Sequence, residues 1–105
     1  MNIDKAGQDV WTDEELDAVV DSYLSMLRAE QSGSDYSKKD AITRLIEGPL
    51  SDRTGKAAEW RMQNISSVLQ DVRAPWIDGY KPASHVGPMV DPRIRAALIR
   101  CLLKD

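Results

Sequence analysis

The sequence predicts a mainly α fold: a compact bundle of about four helices with a short irregular or hairpin segment before the last. Three observations predict it. Apolar residues recur at helical spacing in four separate stretches. Each stretch opens on a capping residue or stops at Gly or Pro. No run of alternating apolar and polar residues is long enough to build a sheet.

The first helix has the clearest opening. Thr12 is the expected N-cap, and Glu15 stands three residues later to close a capping box. Trp11 before the cap can pack on Leu16 as a hydrophobic staple, and Asp13, Glu14 and Glu15 suit the positive end of the helix dipole. Leu16, Val19, Val20, Tyr23, Leu24 and Leu27 share one face, and the helix is expected to end by about Glu30, before Gln31-Ser32-Gly33-Ser34. Ser37 and Asp40 repeat this grammar, with Tyr36 as staple. Ala41, Ile42, Leu45 and Ile46 supply the apolar face of a second helix, which Gly48-Pro49 stops.

A third helix is expected from about Lys56 or Ala57 to Gln70. Its buried side is Ala58, Met62, Ile65, Val68 and Leu69, leaving Glu59, Arg61, Gln63 and Ser66 nearer solvent. Pro75 ends that helical option, and Asp78-Gly79 between Ile77 and Tyr80 signals a tight turn or short hairpin. Pro75, Pro82 and Pro88 keep any strands short. The fourth helix is expected to start with Asp91 as N-cap and Pro92 in the first helical position. Ile94, Ala97, Leu98, Cys101 and Leu102 form its apolar stripe, with Arg93, Arg95, Arg100 and Lys104 around the rest.

At 105 residues the chain is one domain, residues 11–105, behind a flexible leader at 1–10. No apolar run approaches the roughly 18 residues that span a bilayer, and MNIDKAGQDV lacks a secretory layout. A cytoplasmic location is expected, and one cysteine, Cys101, excludes an internal disulfide. Charge is unevenly spread. Residues 1–37 carry two bases against nine acids, and residues 38–105 carry twelve bases against eight acids. A chain of net charge −3 can therefore still present a positive face.

Catalytic chemistry finds little to stand on. His85 is the sole histidine and Cys101 the sole cysteine, which excludes the usual zinc clusters and spaced-histidine catalysis. His85 is expected in a loop, and Cys101 as a small core residue. Asp78-Gly79-Tyr80-Lys81 has the carboxylate-x-Lys ending of a metal-dependent nuclease core but lacks that core's central sheet. Arg53-Thr54-Gly55-Lys56 lacks the second glycine and preceding strand of a phosphate loop. No enzyme activity, cofactor or metal is expected.

The strongest functional candidate is the basic start of the third helix. Backbone N–H groups at a helix N-terminus favour anions, and Arg53, Thr54, Lys56 and Arg61 can add charge and hydrogen bonds towards a DNA phosphate. Asn64 can contact an adenine edge if its helix enters a major groove, although a bond to backbone is the commoner fate of such a residue. Trp60, Trp76 and Tyr80 can stack on bases. With no Phe in the chain, Trp76 and Tyr80 are expected in the core, whereas Trp60 lies off the main apolar stripe.

Leu50-Ser51-Asp52-Arg53-Thr54, Asn64-Ile65-Ser66-Ser67-Val68-Leu69 and Ile77-Asp78-Gly79-Tyr80-Lys81-Pro82 together resemble the N-terminal head domain of McrA-type, modification-dependent HNH restriction endonucleases. Trp11 to Leu16, Tyr23 to Leu27 and Tyr36-Ser37-Lys38 extend the resemblance to roughly residues 11–85. The start of the third helix departs from the family's Ser-Ile-Glu pattern, reading Ala57-Ala58-Glu59-Trp60-Arg61. No HNH nuclease lies within these residues. The resemblance implies a non-catalytic, DNA-associated accessory domain of a bacterial restriction or defence protein. Trp11-Thr12-Asp13-Glu14-Glu15 and Arg53-Thr54 are also similar to Myb-like three-helix DNA binders, although the link from Gly48 to Gly55 exceeds the usual helix-turn-helix turn. The alternative expectation is a protein-docking or homo-oligomerisation module, its acidic first helix meeting basic surfaces of a partner.

Overall fold

The computed structural model describes residues 10–83 and 90–104. Four helices form in the expected order: α1 (Asp13–Gln31), α2 (Lys38–Ile46), α3 (Gly55–Asp71) and α4 (Val90–Lys104). No strand occurs among the described residues, so Asp78-Gly79 makes a turn and not a hairpin. The flanking prolines cannot donate to a strand ladder, which is the physical reason. His85 and Pro88 lie outside the described residues, as does the expected leader except for Val10.

The caps work as the residue types require. Thr12 Oγ1 accepts from the Glu15 N–H at 3.0 Å while Glu15 Oε1 accepts from the Thr12 N–H at 2.9 Å. Ser37 and Thr54 cap α2 and α3 with their side-chain oxygens, accepting from the Asp40 and Ala57 N–H groups. At the other ends, α1 and α3 both close with a paired backbone motif. Ser34 N–H reaches Ala29 O and Gly33 N–H reaches Glu30 O, as Ala74 reaches Leu69 and Arg73 reaches Gln70. The left-handed residue is Gly33 in the first case, at φ 75°, but Arg73 in the second, at φ 61°.

α4 is already wound at Val90, so Asp91 and Pro92 sit in its first turn instead of serving as N-cap and first helical residue. Pro is tolerated there because the first N–H groups of a helix have no intrahelical acceptor.

The core gathers Leu16, Val19, Val20 and Tyr23 from α1 with Met62 and Ile65 from α3 and Ile94 and Ala97 from α4. Leu50 is fully buried from the link between α2 and α3, and its N–H bonds Leu45 O at 2.8 Å, so this link is packed structure. The expected buried side of α3 is buried, and the core also takes Ser66, which the periodicity placed nearer solvent. The reason is a partner: Ser66 Oγ shares a 2.6 Å hydrogen bond with the Tyr23 hydroxyl, which also accepts the Ile77 N–H at 2.9 Å. A buried hydroxyl is stable when so satisfied.

α1 and α4 lie side by side and run in the same direction. Asp13 pairs with Arg93, Asp17 with Arg100 and Asp21 with Lys104, at 2.9, 2.7 and 2.7 Å. The acidic N-terminal half and the basic remainder thus meet within one molecule, which accounts for much of the uneven charge.

Candidate functional site

The five residues expected to face DNA occupy very different surroundings. Arg53 grips Glu15, donating from Nε at 3.1 Å and Nη2 at 2.8 Å, and Nη2 also reaches the Val10 carbonyl at 3.0 Å. The two side chains are 11% and 15% exposed. Arg53 holds the Glu15 carboxyl below its usual range, and burial opposes that shift. Trp11, itself buried, is flanked by two guanidinium groups, with Arg53 Cζ 4.8 Å and Arg61 Cζ 4.7 Å from its ring centre. Such cation–π contacts help hold a partly desolvated arginine.

Arg61 Nη1 donates to Asn64 Oδ1 at 2.8 Å, and Asn64 Nδ2 donates to the Ala83 carbonyl at 2.7 Å. Asn64 is 1% exposed, so its amide joins α3 to the segment before α4 and cannot reach a base edge in this arrangement. Burial, with the nearby charges of Arg53 and Arg93, pushes the Arg61 guanidinium below its ordinary range. Thr54 is exposed as the α3 cap, and Lys56 is exposed beside it. Of the set, the structure brings Arg53 and Arg61 together on Trp11, with Asn64 bonded to Arg61, and leaves Thr54 and Lys56 at the surface.

The Ile77–Pro82 segment is fastened as scaffold. Glu30 accepts from the Tyr36 hydroxyl at 2.7 Å and from the Asp78 N–H at 3.2 Å. Lys38 Nζ donates to Gly79 O at 2.9 Å and lies 4.8 Å from the centre of the Tyr80 ring. Tyr80 is in the core as expected, Trp76 is partly buried against it, and Trp60 is exposed. Burial pushes the Tyr80 phenol up to about 12. Cys101 is buried, and burial together with Asp21 pushes its thiol up to about 11, so it is a poor nucleophile at neutral pH. Among the described residues no group of three His, Cys, Asp or Glu side chains could hold a metal ion. No described helix is long and apolar enough to cross a membrane.

The feature the sequence reading missed is an apolar groove of about 430 Å³. Leu24 and Leu27 of α1, Val68 and Leu69 of α3, and Leu98 and Ile99 of α4 form much of its lining, with Arg95 as its one charged residue. Val72, Ile99, Leu102 and Leu103 are 50%, 58%, 56% and 80% exposed, and they are four of the six exposed large hydrophobics among the described residues. Leu102 was expected on the buried stripe of α4. It turns outward because the covered side of the helix is set by Ile94, Ala97, Leu98 and Cys101 against α1, and Leu102 falls at the edge of that arc. Ile99 and Leu103, four apart, continue the outward side. That second apolar spacing was the available signal.

No protein-family model, curated protein or solved structure matches this chain.

Proposed function

We propose that this domain is a non-catalytic protein-docking module that works through the groove formed by α1, α3 and α4. The supporting observation is the concentration of exposed Val72, Ile99 and Leu102 at an apolar groove, beside Leu103. Contiguous apolar surface rimmed by polar residues is the usual mark of an interaction site, whereas scattered exposed hydrophobics are not. A photo-crosslinking residue at Leu103, compared with one at exposed Lys39, tests the reading. Docking predicts protein adducts at Leu103 that vanish with Val72→Lys. Equal labelling at the two positions, or adducts indifferent to that substitution, overturns it.

A second reading is the DNA-associated accessory domain of a bacterial restriction or defence protein that the McrA-type resemblance implies. Arg61, which has no carboxylate partner among the described residues, and exposed Lys56 favour it. A duplex titration at two salt concentrations, with plain and modified DNA, is the measurement. Lys56→Ala should reduce the magnitude of the salt slope by about one if it contacts a phosphate. Absence of binding at low salt removes this reading.

A further inference from the structure

Resting on the docking reading, we infer that the occupant of the α1–α3–α4 groove is a second copy of this chain, placed by a twofold axis. A twofold contact uses the same patch on both subunits, so that patch must complement itself. This one holds a ridge and a hollow together. Ile99, Leu102 and Leu103 stand out from α4, and Leu24, Leu27, Val68 and Leu69 floor the adjoining groove.

The rim charges also complement themselves. Arg95 on α4 lies 3.8 Å from Asp71 at the end of α3 and 3.4 Å from Asp91, and Arg95 and Asp71 are well exposed. An axis passing beside Asp71 and Arg95 sets each against its opposite in the second copy. The flank of α4 that carries Arg93, Arg100 and Lys104 is already neutralised by α1, so approach of two copies meets little repulsion there. A net charge of −3 opposes it weakly at ordinary salt.

A standard interface covers about 800 Å² per partner, so the groove can supply only the centre of such a contact. A patch spanning three helices with one charged residue inside it supplies the apolar centre of such a contact. Weak association, on the order of 1–100 µM, is expected for a contact with so small an apolar centre.

Sedimentation velocity from about 1 µM to 1 mM tests the inference on the whole chain. The expected result is a mass rising from 11.7 kDa towards twice that value. Leu102→Lys should weaken association more than about tenfold while the helical circular dichroism stays unchanged. Arg95→Glu and Asp71→Arg should each weaken it alone, and their equimolar mixture should associate again because both rim pairs are then restored. A monomer throughout, or a dimer indifferent to these substitutions, overturns the second-copy assignment. In that case adducts at Leu103 with a different protein leave the docking reading standing, and absence of such adducts overturns both.

Discussion

The cluster around Trp11 and the groove beside Leu102 are built from opposite materials and end in opposite conditions. The first is rich in charge, yet Arg53, Glu15 and Asn64 all have partners inside the molecule, and Trp11 is covered by two arginines. The second is almost free of charge, yet Val72, Ile99 and Leu102 along it are left facing solvent. Charged residues are commonly read as working residues and apolar ones as core. Here the unmet demand for a partner is on the apolar side. Water satisfies an exposed arginine at little cost, whereas exposed apolar area gains about 25 cal/mol per Å² when covered.

The comparison breaks most sharply at Trp11. If the cluster is a structural anchor, Trp11→Ala should cost about 3–5 kcal/mol in chemical denaturation, as truncation of a buried aromatic does. It would also remove the surface that both guanidinium groups cover. A loss below about 1 kcal/mol would mean that the cluster stands apart from the core.

Arg53 comes next. Arg53→Ala removes a forked bond to Glu15 and a bond to Val10 O, and should cost about 2 kcal/mol, the scale of hydrogen bonds to charged groups. The pH dependence gives an independent check. The Arg53 guanidinium holds the folded Glu15 carboxyl below its ordinary value of 4.5. Its stabilisation is therefore present above that value and is lost as pH falls through the lower, folded value. Glu15→Gln should be less stable than the parent near neutral pH, and the gap between the two should close as acidification carries the pH below the folded value. Asp13, held low by its bond to Arg93, leaves some acid sensitivity in the variant. A gap that persists at low pH would sink the ion-pair account.

These two regions also mark what the sequence could disclose. Thr12 and Glu15, Ser37 and the buried face of α3 follow from contacts within a turn or two of helix, where spacing alone decides the outcome. Ser66 could not be placed that way, because its burial depends on a tyrosine hydroxyl 43 residues away. The same holds for Arg53, whose carboxylate partner is 38 residues distant. An arginine at a helix start looks the same in sequence whether it will meet a phosphate or a glutamate. Leu102 failed for a different reason: a helix with apolar residues on more than half its circumference does not say which arc its neighbours will cover.

A smaller effect is expected at the helix end bordering the groove. Arg73 holds the left-handed position that Gly33 holds after α1, and Arg73 is exposed with Val72 beside it. A side chain there costs about 1–2 kcal/mol relative to glycine, partly offset by the greater freedom of glycine in the unfolded chain. Arg73→Gly should therefore stabilise the fold by roughly 0.5–1 kcal/mol, read as a rise in melting temperature. A destabilised variant would show that the arginine makes contacts worth more than its backbone strain.

The smallest expected effect separates the two regions most cleanly. Leu102→Lys replaces a leucine that is 56% exposed, so stability measured at low protein concentration should move by no more than about 0.5 kcal/mol. A core leucine of the same helix, Leu98, should lose about 2–5 kcal/mol on truncation to Ala. If Leu102→Lys were instead costly in the monomer, Leu102 would be supporting the core and the groove would be a packing irregularity. A silent change in the monomer that abolishes association assigns this leucine to a contact between molecules, because nothing inside one chain then depends on it.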